Sequence, residues 1–237
     1  MIAIPAIDLR DGACVQLVGG SYENERVRLP DPCAVARRWA EAGFSRLHVV
    51  DLDAATGNGA NADVVRGILS QSSGDVQVGG GVRSSERARE LLRGGARYVV
   101  AGTRAVSDAA WLAELATENP NAVIVAADVR ERTVVTNGWK TRAPIDVISF
   151  VRGLAPLAIA GILVTAVHRE GLLQGVDLEL MRDVVEAASA PVIASGGVTT
   201  MDDLAELARA GVSGAVIGMA LYTGALDARV LAEEYGT

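Results

Sequence analysis

A closed α/β fold of eight βα units, a (β/α)8 TIM barrel with a two-fold internal half-barrel repeat, is the architecture this sequence predicts. Three observations predict it: eight short apolar runs, helix-period segments between them, and a stretch that recurs at a fixed offset. The runs fall at 2–8, 46–51, 75–79, 97–101, 122–128, 161–165, 191–195 and 214–218. That is about one per thirty residues, the length of a βα unit. They are almost purely apolar, as in Leu47-His48-Val49-Val50 and Val123-Ile124-Val125-Ala126, so they read as parallel strands covered on both faces. Eight units without a boundary favour a closed barrel over an open doubly wound sheet.

The helices between the runs carry their own punctuation. Asp31-Pro32 supplies an N-cap and a first-turn proline, and Gly43 follows the last apolar turn as a stop. Ser84-Ser85 and Ser107-Asp108 offer caps for two more helices. Thr200 and Asp203, before Leu204 and Leu207, have capping-box spacing, and Gly211 ends that helix.

The repeat appears when the chain is slid by 116 residues. Positions 78–105 then lie over 194–221 without a gap, and nine of 28 residues are identical. Gly80/Gly196, Gly81/Gly197, Gly95/Gly211 and Gly102/Gly218 are among them. A shift of 120 sets Asp8 on Asp128, each ending an apolar run and followed by an apolar residue and Arg. Two half-barrels of four units account for both matches. No Pro/Ser-rich linker or composition shift cuts the chain, so 1–237 reads as one domain.

Composition narrows the function. The 237 residues are 50% hydrophobic and carry a net charge of −7, which argues against a general nucleic-acid partner. A small phosphorylated ligand stays open, because a local field can oppose the net charge. Two cysteines, Cys14 and Cys33, fit neither a disulfide framework nor a ligand spacing, and two histidines, His48 and His168, exclude a His-rich zinc site. The opening MIAIPAIDLRDG has no basic segment and its apolar run stops at Asp8, unlike a signal peptide. No run reaches the ~20 apolar residues of a membrane span. The expectation is a cytoplasmic, monomeric protein with no membrane partner and no His-rich metal site.

In a barrel of this kind the reactive groups sit at the C-terminal ends of the strands. Those positions here carry two sorts of residue. Gly80-Gly81 is followed one unit later by Gly102-Thr103, and Gly196-Gly197 by Gly218-Met219. Glycine turns let backbone N–H groups approach an anion, and helix N-termini favour phosphate. Glycines that merely end strands are the plainer reading of one pair, but two pairs at identical spacing point to a ligand with a phosphate at each end. Asp8 and Asp128 end strands one and five, which face each other across an eight-strand ring. Opposed carboxylates there can divide general-acid and general-base work; capping their own loops is the alternative. For Asp51 the capping role is preferred. His168 reads as a surface-loop histidine, with substrate contact as the second option. His48 reads as a satisfied core residue, and Trp39 and Trp111 as packing residues. Trp139 lies on no apolar stripe; it stacks on a heterocycle or closes a loop.

IPAIDLRDG, LHVVDLD, VQVGGGVR, an Asp-ended fifth strand followed by NGW, and VIASGGV with GMALY together resemble the histidine-biosynthetic isomerase family often called HisA. The resemblance covers essentially the whole chain, with the motifs in order. It implies a (β/α)8 barrel that performs an Amadori rearrangement of an aminoaldose to an aminoketose, on a bisphosphate substrate and without metal or organic cofactor. It further implies that Asp8 is the general base at C2' of the opened ribose, Asp128 a second carboxylate and Thr165 a positioning hydroxyl. By the same resemblance Gly81, Gly102 and Thr103 hold one phosphate, Gly197, Gly218 and Met219 hold the other, and Arg83 contacts substrate.

The chain also departs from that family. After strand six the family pattern is Thr-Asp-x-x-x-Asp-Gly-Thr, whereas this chain reads Thr165-Ala166-Val167-His168-Arg169-Glu170-Gly171-Leu172. Glu170 therefore stands where an acid-catalyst aspartate is expected, one methylene longer. Gln16 stands where Arg is common, and Asn137 where relatives active on phosphoribosyl anthranilate carry Arg. These departures argue against efficient dual activity. Competing readings are a phosphoribosyl-anthranilate isomerase, a dual-substrate isomerase, or a bisphosphate-binding barrel with impaired catalysis. The related cyclase subunit of imidazole-glycerol-phosphate synthase fits less well, because its Cys-Leu-Asp start is missing.

Overall fold

The computed structural model describes residues 1–139 and 141–237. Its strands are β1 (Ile2–Arg10), β2 (Ala13–Leu17), β3 (Glu25–Leu29), β4 (Arg46–Asp51), β5 (Asp75–Gly79), β6 (Tyr98–Ala101), β7 (Val123–Arg130), β8 (Thr133–Thr136), β9 (Thr141–Asp146), β10 (Gly161–Ala166), β11 (Val192–Ser195) and β12 (Gly214–Ile217). Eight of them run parallel in the order β10-β11-β12-β1-β4-β5-β6-β7, and β7 pairs with β10 to close the ring. The expected barrel is present, and each of its strands overlaps one of the eight apolar runs.

The apolar runs separate into an inside and an outside because side chains alternate along a strand. Ile4, Ile124, Leu163, Ile193 and Val216 meet within the ring. Ile7, Val49, Val78, Val99, Val125 and Val164 face outward and pack beneath the helices. Those are α1 (Pro32–Ala42), α2 (Leu52–Thr56), α3 (Ala62–Gln71), α4 (Ser85–Arg93), α5 (Thr103–Ser107), α6 (Ala109–Glu118), α7 (Val147–Gly153), α8 (Leu178–Ala187), α9 (Met201–Arg209), α10 (Met219–Thr223) and α11 (Ala228–Tyr235). The caps stand where the sequence puts them. Asp31, Ser84 and Asp108 accept from first-turn amides, and Thr200 with Asp203 forms the full capping box. Trp39 and Trp111 are buried packing residues, as expected.

The apolar-run reading missed two arms. β1 continues past the ring, turns at Asp11-Gly12 and returns as β2, which pairs with β3; β7 turns at Glu131-Arg132 into β8 and β9. Both turn residues have positive φ in each arm, 48° and 75° in the first and 49° and 70° in the second. A two-residue hairpin needs that conformation. The registers correspond: Asp8 pairs with Val15, and Asp128 with Val135. Each aspartate thus sits where its strand leaves the ring and enters its arm.

Candidate active site

Where the C-terminal ends of the ring strands converge lies a cavity of about 300 Å³. The fourteen residues predicted as site residues all line it: Asp8, Gly80, Gly81, Arg83, Gly102, Thr103, Asp128, Trp139, Thr165, Glu170, Gly196, Gly197, Gly218 and Met219. Several that the reading did not assign to the site also line it, among them Tyr22, His48, Thr56 and Ser195. Gln16, noted only as a departure, reaches the wall beside Gly218. No group of three or more His, Cys, Asp or Glu suited to a metal ion occurs among the described residues.

Asp8 and Asp128 come from strands four places apart in an eight-strand ring, so they face each other across the mouth. Their surroundings differ. Burial pushes the Asp8 carboxyl up to about 7. Burial also raises Asp128, but hydrogen bonds from Thr165 and from the Trp139 indole oppose the rise. The indole bond, Trp139 Nε1 to Asp128 Oδ2, is 2.9 Å long. Glu170, on the loop after β10, is pushed up to about 7 by burial and then by the negative charges of Asp8 and Asp128. Its buried Oε2 has no hydrogen-bond partner among the described residues. Three carboxyl groups therefore share one cavity, and two of them hold protons near neutrality.

The glycine turns have two different explanations. A Cβ on Gly197 would stand 2.3 Å from the Gly175 carbonyl oxygen, and one on Gly80 would stand 2.2 Å from the Asp51 carbonyl oxygen. These glycines are required by the neighbouring loop, whatever the ligand. Gly102 is different, because its nearest neighbour to a Cβ is Ala126 at 4.0 Å. The absent side chain there leaves open cavity rather than relieving a clash. Gly102 and Gly218 start α5 and α10 with matching backbones, φ −104° and ψ −111° against φ −103° and ψ −103°. Neither helix has a side-chain cap, in contrast to α1, α2, α4 and α6 to α9. Their first-turn N–H groups lack intrahelical acceptors. Uncapped helix starts thus meet the cavity on opposite sides, and Arg83 lies at the first, its guanidinium bonded to the Ala55 carbonyl.

The remaining candidates are placed plainly. Asp51 is 1% exposed and accepts from Ala54 N, Asn61 N and Asn61 Nδ2, the expected capping role. His168 lies outside the cavity lining and pairs with Asp177 at 3.1 Å. The Trp139 ring closes down on Gly20, where an added Cβ would overlap it, and it also lines the cavity. The Asn137 amide N–H donates to the Thr103 hydroxyl at 3.1 Å, which docks the same loop on the first uncapped helix.

Known proteins resemble the chain over this whole arrangement. It is 61% identical over 236 residues to the 1-(5-phosphoribosyl)-5-((5-phosphoribosylamino)methylideneamino) imidazole-4-carboxamide isomerase of Gemmatimonas aurantiaca, covering 100% of both chains. It is 55% identical to the protein of that name from Myxococcus xanthus, over 99% of both. The Halorhodospira halophila protein of the same name is 42% identical, over 96% of this chain and 94% of its own. The profile described as Histidine biosynthesis protein matches residues 2–227, from the first ring strand to beyond the last, and the chain belongs to that family.

Proposed function

We infer that the chain is itself an isomerase of the kind its relatives are named for, acting in histidine biosynthesis on a phosphoribosyl imidazole carboxamide with a phosphate at each end. The observation that carries this is one cavity holding facing Asp8 and Asp128, with Glu170 beside them and an uncapped glycine-started helix at either side. A substrate bridging the two helix starts lays its central sugar across the carboxyl groups. Gly81, Gly102, Thr103 and Arg83 receive one phosphate, and Gly197, Gly218 and Met219 the other. Gly80 and Gly196 shape the two turns, and Trp139 covers the sugar and its base.

The reaction moves an aldose oxidation level from C1' to C2', so it needs proton transfers and no net oxidant. Glu170, protonated near neutrality and with one oxygen unpartnered, gives its proton to the ribose ring oxygen. The C1'–O bond breaks and a protonated Schiff base forms. Asp8, once ionised, removes the proton from C2' and leaves an enolamine; Asp8 returns that proton to C1' while the enol O–H passes its proton to the ionised Glu170, giving the ketone and restoring both carboxyl groups. Asp128 faces the cationic intermediate, and the hydrogen bonds from Thr165 and Trp139 oppose the rise that burial imposes on it. Each positioned acid or base is typically worth ~10²–10⁴-fold, and the phosphate anchors hold the sugar in reactive orientation.

We propose further that the protein is a monomer of one domain that works in the cytoplasm without nucleic-acid or cofactor partners. No helix of the described residues is long and apolar enough to cross a membrane. Activity on phosphoribosyl anthranilate is disfavoured, since Asn137 supplies no guanidinium and its amide bonds Thr141. The deciding experiment is a spectrophotometric assay of the purified protein on both substrates side by side. Turnover of the bisphosphate alone is the expected result, and binding of it without turnover overturns the isomerase reading.

A further inference from the structure

The scheme above uses no group on the floor of the cavity, yet one polar side chain lies there. The floor is formed by Ala6, Val100, Ala126, Leu163 and Val216, all apolar, and by His48. In register, His48 stands beside Ala6 of β1 and beside Gln77 of β5, one inward step below the level of Asp8. The small side chains of Ala6 and Ala126 leave the space above it open.

Its orientation is fixed from behind. Gln77, fully buried, donates its side-chain N–H to His48 Nδ1 at 2.8 Å. With Nδ1 accepting, the single proton of the neutral ring is on Nε2. Nε2 has no partner among the described residues. Burial lowers the imidazole to about 4, which keeps the ring neutral at physiological pH. The Gln77 carbonyl oxygen is left buried and unpartnered, which is unfavourable in a packed core.

We propose that His48 is a further catalytic residue of this reaction, its Nε2–H donating to the oxygen on C2' of the reacting sugar. The proposal rests on the isomerase reading. That oxygen passes from hydroxyl to enol to ketone while Asp8, one level above, takes the C2' proton. A fixed donor in an apolar floor favours the charge that develops on it. A neutral imidazole donates without competing with Glu170 as the acid. Gln77 is the positioning residue that selects the ring proton.

The test combines kinetics with nitrogen NMR of the intact protein. Replacement H48F fills the volume and removes the donor. It is expected to lower kcat at least about tenfold with KM within about threefold, the pattern of an interaction made in the transition state. H48Q returns an N–H at similar reach and is expected to recover part of the loss. With only two histidines in the chain, the ring nitrogens of His48 can be assigned, and protonated Nε2 with bare Nδ1 is expected from about pH 5 to about pH 8. A folded H48F enzyme with undiminished kcat, or a proton on Nδ1, overturns the proposal. Should H48F not fold, the tautomer and H48Q decide. A wild-type protein that fails to turn over the bisphosphate instead overturns the isomerase reading, whatever the state of His48.

Discussion

Trp139 spends its indole N–H on Asp128, at 2.9 Å, so of two aspartates placed alike in their arms only one is tied down. The difference is one of burial and partners rather than of residue type. Asp8 meets no comparable donor, and burial pushes its carboxyl up to about 7. Removing the indole donor should make Asp128 resemble Asp8. For W139F we expect kcat/KM on the bisphosphate to fall roughly 10- to 100-fold, the scale of a lost hydrogen bond to a charged group. Steady-state kinetics of the variant, with circular dichroism as a check on folding, measure it. Unchanged kcat/KM contradicts a role for the pair.

The two raised carboxyls give the pH dependence a definite form. Asp8 must lose its proton to act as base, so kcat/KM climbs through its value of about 7. Glu170 must keep its proton to act as acid, so kcat/KM falls again above its value of about 7. The expected profile is a narrow bell around neutrality. E170Q is expected to lose most activity and the alkaline limb with it, while D8N abolishes turnover and still binds the product.

Stability follows the same groups with the sign of a raised acid. A carboxyl that is harder to ionise when folded adds nothing below its unfolded value, where both states are protonated. As pH rises toward the folded value, the unfolded chain releases its proton first and stability drops. Between about pH 4 and about pH 7 the melting temperature should therefore decline and level off above, and the double replacement D8N/E170Q should flatten the decline. Thermal melts at constant ionic strength give the comparison.

How much of this was legible in the sequence differs by residue. The ring strands were legible because strands buried on both faces leave nearly continuous apolar runs, which Leu47-His48-Val49-Val50 illustrates. Asp8, Asp128 and the glycine turns were legible because barrel topology fixes where strand ends converge. The arms were not, for an identifiable reason. Asp11-Gly12 is an ordinary hairpin turn, but β3 alternates exposed charge with half-buried apolar groups. The second turn, Glu131-Arg132, adopts positive φ without a glycine to announce it. His48 was legible as a core residue and not as a cavity residue. Only the small side chains of Ala6 and Ala126, on the first and fifth apolar runs, open the space above it.

The glycine turns separate structural from ligand-binding roles by mutation. G197A places a Cβ at φ +89° against the Gly175 carbonyl and should destabilise the protein by roughly 1–3 kcal/mol. R83A removes a guanidinium at the first uncapped helix and should leave stability nearly unchanged while raising KM about tenfold or more. Denaturant melts and KM measured on the same two proteins distinguish these outcomes. A stable G197A protein argues against the close loop contact.

Asp51 is the sharpest control, because it too ends a ring strand with a carboxylate. Its oxygens already accept from Ala54 N, Asn61 N and Asn61 Nδ2 at 2.7–3.1 Å, and only 1% of the residue is exposed. Asn61 in turn accepts from the Gly12 amide and donates to Asp53, which receives the Asp11 amide. The carboxylate therefore ties the loop after β4 to the turn of the first arm. In D51N one oxygen becomes an N–H facing another donor, and buried groups lose their acceptor. The expected loss is roughly 2–4 kcal/mol of stability. Chemistry should be spared: the folded fraction at low temperature is expected to keep kcat within about threefold of wild type. A protein as stable as wild type but inactive would move Asp51 from the scaffold into the reaction.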